Sequence, residues 1–317
     1  MLLAETASQA KHFYLKSDKM KTLLKKVLRK PYYQFRDLID RNRVDDGSLS
    51  QQIQRNIITQ YLLVKQQGVR LYPKLCESGF RVYSEFEEDG MILYVLAMIG
   101  FKSKKIVEMC CGTCRECMAT NLILNHGFDG YLFDGDPANI ELARTFFRSK
   151  KDCLLYTPVL RNAWITAENV NDLLVEAGCA GEVDVFSLDV DGNDYWIWQA
   201  IKVIKPRLLV CETHNIIPSD QSLTIEYQPD FECWSKLGHE QEYRSVSLLA
   251  MVNLCKEKGY RLIGAHRHGF NAFFLREDEG RDFFPEVSIE EVHDNYWTKS
   301  GQDNRWPLVK HMNWVKV

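Results

Sequence analysis

Hydrophobic positions in the first 78 residues recur at helical spacing and contain no run that alternates as a strand would. Met20, Leu23, Leu24, Val27 and Leu28 share one side of a predicted helix that carries Lys19, Lys21, Lys25, Lys26, Arg29 and Lys30, and Pro31 ends it. The basic side suits a phosphate or an anionic surface, or is simply a solvated face. A second helical run covers Gln51 to Gln67 and stops at Gly68. From about residue 80 the pattern changes to short apolar runs alternating with helical stretches, the mark of a parallel sheet covered by helices. Strands are expected at Lys105–Met109, Gly130–Phe133, Leu154–Val159, Val183–Leu188, Arg207–Cys211, Arg261–Gly264 and Asn271–Leu275. Helices are expected at Gly90–Ile99, Glu116–Asn125, Pro137–Ser149, Ala167–Ala177, Tyr195–Ile201 and Val246–Lys258. Only His266 to Phe270 separates the last two strands, so they should pair antiparallel. The chain therefore divides into an N-terminal helical region (1–78), an α/β domain (79–279) and a polar tail (280–317) whose Trp297, Trp306 and Trp314 should pack back on that domain.

Composition narrows the class. With 45% hydrophobic and 12% aromatic residues in 317, the chain can bury a large core, which argues against disorder. Forty basic against 43 acidic residues argue against a broad nucleic-acid-binding surface. No segment approaches the roughly 20 apolar residues of a membrane span. The first residues lack a basic stretch followed by an apolar run, so no secretory signal is read there, and ten cysteines without one suggest a reduced, cytoplasmic setting.

Ligands of an open parallel sheet bind beyond the carboxyl ends of its strands, which selects four segments. The first, Glu108-Met109-Cys110-Cys111-Gly112-Thr113-Cys114, places an acid at a strand end before a loop with Gly112 central. Cys110 and Cys114 stand where an acid-x-Gly-x-Gly-x-Gly loop has glycine, and a side chain with a Cβ does not freely take positive φ. In the second, Asp134 is placed to accept ribose hydroxyls, while Asp136 before Pro137 starts a helix. The third, Asp189-Val190-Asp191-Gly192-Asn193-Asp194, crowds three carboxylates, which must raise a pKa or recruit a cation unless the segment is only a turn capped by Asn193 or Asp194. The fourth is Glu212-Thr213-His214-Asn215, where His214 is either a general base or a structural histidine.

Together these segments resemble the FkbM-type family of S-adenosylmethionine-dependent methyltransferases. The matching residues run from Tyr83-Ser84-Glu85-Phe86-Glu87-Glu88-Asp89-Gly90 through Val107-Glu108, Asp134-Gly135-Asp136-Pro137, Asp184-Val185-Phe186-Ser187-Leu188-Asp189-Val190-Asp191-Gly192, and Glu212 with Asn215, to Gly269-Phe270-Asn271-Ala272-Phe273-Phe274. The resemblance covers roughly residues 80–277. It implies a class I fold, a doubly wound seven-stranded Rossmann-like sheet, with S-adenosylmethionine as methyl donor and a hydroxyl of a sugar or natural product as acceptor. By the same resemblance Glu108, Cys110 and Gly112 form the cofactor loop and Asp134 is the ribose acid. Ala163 and Trp164 are candidates for the adenine wall, and Glu88, Asp89 and Asp189 are expected in the same cleft.

Methyl transfer from a sulfonium is an in-line displacement in which a hydroxyl acceptor must lose its proton. Asp189, Asp191 and His214 are the groups expected to serve it. If a metal such as Mg2+ or Mn2+ assists, Asp189, Asp191, Glu212 and Asn215 are its expected ligands. Three other classes are weighed beside this one. Cys110, Cys114 and Cys117 have the spacing of an iron–sulfur loop in radical enzymes and also suit zinc. A nicotinamide enzyme would need Gly-x-Gly-x-x-Gly, which is absent. A non-catalytic interaction protein would keep the fold and lose the cofactor loop. A homo-oligomer is compatible with all of these.

Overall fold

The computed structural model describes residues 47–68, 72–153 and 156–317, so the basic helix expected around Met20–Leu28 lies outside the described residues. Residues Gln51–Val317 form one compact unit. The described fold consists of this unit and the helix that leads into it.

Helix α1 (Gly47–Gln66) ends before Gly68, whose φ of 65° reverses the chain. The helix packs on the domain through Gln54, which hydrogen-bonds Asn121 at 3.1 Å, and through Tyr61, whose ring centre is 4.6 Å from that of Tyr94. Helix α2 (Glu88–Ile99) is buried along its whole length up to Met98, as expected of a helix apolar on all sides. Its Gly90 is obligatory for close approach: a Cβ there would lie 2.3 Å from the backbone nitrogen of Phe80.

The sheet has seven strands in the order β3-β2-β1-β4-β5-β8-β7. They are β1 (Lys105–Met109), β2 (Asp129–Asp134), β3 (Val159–Asn162), β4 (Gly181–Leu188), β5 (Ile204–Glu212), β7 (Tyr260–Ala265) and β8 (Asn271–Arg276). β1 to β5 are parallel, and β8 pairs antiparallel with both β5 and β7. The chain therefore has the doubly wound Rossmann-like fold with a terminal antiparallel hairpin. Ile106, Leu132, Val185 and Leu208 face one core cluster, and Val107, Phe133, Phe186 and Leu209 face the other. Burial on both faces is why these strands read as continuous apolar runs. Helices α3 (Met118–His126) and α4 (Pro137–Arg148) cover the first face with α2. Helices α5 (Val170–Glu176), α6 (Asp194–Ala200) and α7 (Leu248–Glu257) cover the second.

Two expectations need correction. The third strand lies at Val159–Asn162 where Leu154–Val159 was expected, Leu154 and Leu155 lying outside the described residues; this edge strand ends in exposed Arg161 and Asn162 and carries little apolar signal. A second sheet of β6 (Leu223–Ile225) and β9 (Trp314–Lys316) was not foreseen. It fastens the tail, after the short helices α8 (Ile289–His293), α9 (Tyr296–Asn304) and α10 (Trp306–Val309). Among the described residues, no helix is long and apolar enough to cross a membrane.

Candidate cofactor and acceptor site

The loops after β1, β2, β3 and β4 meet at the carboxyl end of the sheet. In the first of them Cys110, Gly112 and Cys114 all have left-handed backbone, with φ of 61°, 55° and 58°. The loop thus keeps the conformation of a three-glycine turn with cysteine at two of its positions, contrary to the expectation from Cβ sterics. Each cysteine bears a strain of about 1–2 kcal/mol for this. Glu108 does not face the loop's open side. Its carboxylate is buried and accepts the backbone N–H groups of Met118 (3.0 Å) and Ala119 (2.7 Å) and the thiol of Cys117 (2.9 Å), closing the start of α3. Burial pushes its pKa up to about 6 despite those donors.

The iron–sulfur and zinc alternatives lose their geometry here. Cys110 is exposed, Cys114 and Cys117 are buried, and burial pushes the Cys117 thiol up to about 12. Among the described residues these three sulfurs do not converge as a ligand set.

Asp134, at the end of β2, braces two loops. Its Oδ2 accepts Gly112 N–H at 2.8 Å, and its Oδ1 accepts the Asp136 N–H at 2.9 Å and the Asn139 amide at 2.8 Å. Burial raises its pKa. Asp136 caps α4 through the Ala138 N–H at 2.8 Å, ahead of Pro137. Beside them the Trp164 ring lies flat enough on Gly135 that a Cβ there would come within 2.8 Å of it. The Trp164 indole donates to the Pro229 carbonyl at 2.7 Å.

A cavity of about 50 Å³ opens among these loops, lined by Cys110, Gly135, Ala163, Trp164, Ile165, Val190, Asn193 and Phe231. Of the expected cofactor residues, Cys110, Ala163 and Trp164 line it. Glu88, Asp89, Glu108, Gly112, Asp134 and Asp189 do not. Glu88 accepts the Phe86 N–H at 3.0 Å and the Asn271 amide at 2.8 Å. Asp89 gathers the N–H groups of Val82, Tyr83 and Ser84 on its Oδ2 at 2.6–2.8 Å. Both therefore hold the chain that enters α2. Phe231 is the wall the sequence did not announce. Its ring sits where a Cβ on Gly192 would be 2.4 Å away.

Next to this cavity, Asp189, Asp191 and Glu212 bring carboxylate oxygens within 4.8 Å of one another. Burial first, and mutual repulsion second, push Asp189 and Glu212 well above the usual carboxylate range. One cation answers them, and sequence reasoning missed it: Arg244 Nη1 is 2.8 Å from Asp191 Oδ1, and Nη2 is 3.8 Å from Glu212 Oε1. Trp234 donates its indole N–H to the other Asp191 oxygen at 2.8 Å, and its ring centre lies 5.1 Å from the guanidinium carbon. Asp194 belongs to the turn, accepting the N–H groups of Val190 (2.9 Å) and Gly192 (3.0 Å).

Two expected members stand apart. His214 turns its Nε2 to the Glu242 carbonyl at 2.7 Å, and burial lowers its pKa to about 3. The ring is thereby committed to a backbone carbonyl and stands outside the Asp189–Asp191–Glu212 group. Asn215 donates its amide to the His268 carbonyl at 2.7 Å, which ties it to the β7–β8 turn and not to the carboxylates.

No protein-family model and no curated protein sequence matches this chain. Solved structures do resemble it. The N-terminal domain of EvdMO1, solved in the presence of SAH and D-fucose, matches 70% of this chain and 96% of its own at 12% identity and a TM-score of 0.40. Magnesium protoporphyrin IX methyltransferase from Synechocystis PCC 6803, with bound SAM, matches 74% of this chain and 86% of its own at 10% identity and a TM-score of 0.34. The citrinin polyketide synthase CMeT domain matches 61% of this chain at 12% identity and a TM-score of 0.38, and this chain spans about half (52%) of its length. The second of these is a methyltransferase with bound SAM and the first was solved with SAH, but the likeness is one of outline, and the fold assignment here stands on strand order and register.

Proposed function

We propose that this protein transfers a methyl group from S-adenosylmethionine to a hydroxyl oxygen of a small molecule such as a sugar or natural product. The observation that carries the reading is the loop after β1. Residues 110, 112 and 114 hold left-handed backbone, and Cys110 of this loop lines a cavity at the carboxyl end of the sheet. That is the place where a doubly wound sheet takes a nucleoside. Cys110, Ala163 and Trp164 would hold the cofactor, with Asp134 keeping the Gly112 loop in place. The cofactor supplies an electrophilic methyl group. The chain's own work is to orient the acceptor and take its proton. Asp189 suits that task because burial raises its proton affinity above that of an ordinary carboxylate.

A finer form of the reading adds Mg2+ or Mn2+ on Asp189, Asp191 and Glu212 to acidify the acceptor hydroxyl. A different reading, a non-catalytic domain that retains this fold, is favoured by one observation. The cavity of about 50 Å³, with Phe231 among its walls, is far below the roughly 300–1,000 Å³ of ordinary ligand sites. Admission of a nucleoside would require the walls of this cavity to move apart.

Calorimetric titration of metal-free protein with S-adenosylhomocysteine separates the two. Micromolar binding supports methyl transfer, and absence of heat across the micromolar range leaves the non-catalytic domain. Repeating the titration with Mg2+ or Mn2+ tests the metal-assisted form.

A further inference from the structure

Arg244 occupies the region where three carboxylates converge, and it neutralises them incompletely. Against Asp189, Asp191 and Glu212 it offers one positive charge, bonded to Asp191 at 2.8 Å but only 3.8 Å from Glu212, beyond hydrogen-bond reach. Glu212 is 7% exposed, and its Oε2 is buried with no hydrogen-bond partner. A buried carboxylate oxygen left bare beside two others is costly unless a cation or proton reaches it. The oxygens lie within 4.8 Å of one another. Ligands on opposite sides of an ion with bonds of about 2.1–2.4 Å are about 4.2–4.8 Å apart, so one hard cation can bind all three. All three ligands are carboxylates, the donor type that suits magnesium and manganese.

We propose that the Arg244 guanidinium and a divalent cation are alternative occupants of the Asp189–Asp191–Glu212 cluster, so that Arg244 is a built-in cation guarding a latent metal site. Both carry positive charge to the same oxygens, and a guanidinium on Asp191 repels an incoming ion while holding one of its ligands. The proposal deepens the metal-assisted form of the reading above. Its test needs neither cofactor nor activity, so it fails or stands apart from methyl transfer.

The experiment is titration of the full chain with Mn2+, free ion being followed by its electron paramagnetic resonance signal. Arg244→Gln, which removes the charge and keeps a planar amide, should bind Mn2+ at least tenfold more tightly than the unaltered protein. Arg244→Lys should bind as weakly as the unaltered protein, since it restores the charge. Arg244→Gln combined with Asp191→Asn should lose the gain. Equal affinity of the unaltered protein and Arg244→Gln overturns the proposal, and so does a gain that survives Asp191→Asn. Should Arg244→Gln fail to fold, Arg244→Met, which keeps the stem against Trp234, takes its place. The rise of its melting temperature in manganese, compared with that of the unaltered protein, then decides by the same criterion.

Discussion

Arg207 offers a test of the scaffold that is separate from the site. It lies near the start of β5, at the sheet end opposite the candidate site, and is 3% exposed. All five of its donors are used. Nε and Nη2 reach the two Glu279 oxygens at 2.7 and 2.8 Å, Nη1 reaches Asp184 at 2.9 Å and the Gly100 carbonyl at 2.6 Å, and Nη2 also reaches the Ile99 carbonyl at 3.0 Å. The side chain thus ties β4, β5, the end of α2 and the start of the tail. Arg207→Met keeps length and removes the charge. Asp184, fully buried, would keep the Lys102 and Lys104 N–H groups on Oδ2 and lose the only partner of Oδ1. Breaking a buried pair in this way costs about 3–5 kcal/mol, a large share of a total near 5–15 kcal/mol. In urea, the midpoint should fall by roughly 1 M or more at an m-value of about 3 kcal/mol/M, with the slope unchanged. Arg207→Met with Asp184→Asn should recover part of the loss, because no bare charge remains. A loss under about 1 kcal/mol, typical of exposed pairs, would refute the argument.

Two further predictions concern the site and its loops. Burial lowers the pKa of His214 to about 3 in the folded chain, so below the unfolded value of about 6.5 the unfolded state binds the extra proton and stability falls. His214→Gln, which can still donate to the Glu242 carbonyl, should therefore reduce the acid loss between pH 6 and 4 by about 1.4 kcal/mol per pH unit; parallel urea-derived profiles would refute it. At the β1 loop, Cys110→Gly should leave stability within about 1 kcal/mol, because relief of left-handed strain offsets the added freedom of the unfolded chain. Cys114→Gly should destabilise by more, since its side chain is fully buried in the core. Denaturant midpoints in the reverse order would show that strain does not govern this loop.

The sheet was legible because its strands are buried on both faces. β1 was placed at its observed bounds and β8 ends one residue beyond its expected limit, since apolar runs there stop where burial stops. β3 was not legible, because half of it is exposed at the sheet edge. The β6–β9 pair escaped because each strand has three residues and the partners lie some 90 positions apart, which no local pattern records. In the site, Asp189, Asp191 and Glu212 come together, whereas Asn215, expected beside them, does not. Of the two readings left open for His214, the fold favours the structural one for a geometric reason. Two residues past Glu212 an extended chain would return to the same side, but β5 ends at Glu212 and the His214 N–H bonds Val246 O instead. Arg244 carries no motif, and only the folded loop brings it to the carboxylates.

One segment governs both halves of the site. Phe231 walls the cavity at the carboxyl end of the sheet, while Trp234 and Arg244 sit on Asp191. Within that segment Phe231, Cys233 and Tyr243 share a small core, and Lys236 lies over the rings of Phe231 and Tyr243 at 4.3 and 4.6 Å. Groups packed on one another in this way shift together more readily than singly. Displacing Phe231 to admit a nucleoside would then loosen the hold of Arg244 on the carboxylates, and drawing Arg244 away would open the wall beside Cys110. Under the proposed function, nucleoside and cation would each lower the cost of admitting the other, a coupling that thermodynamics requires to be equal in both directions. The cysteine loop does not oppose this, because it already holds the backbone conformation that a glycine loop would have to adopt. Under the same proposal, the aromatic and cationic groups contributed after β6 would set both entry to the cavity and the chemistry open to the three carboxylates.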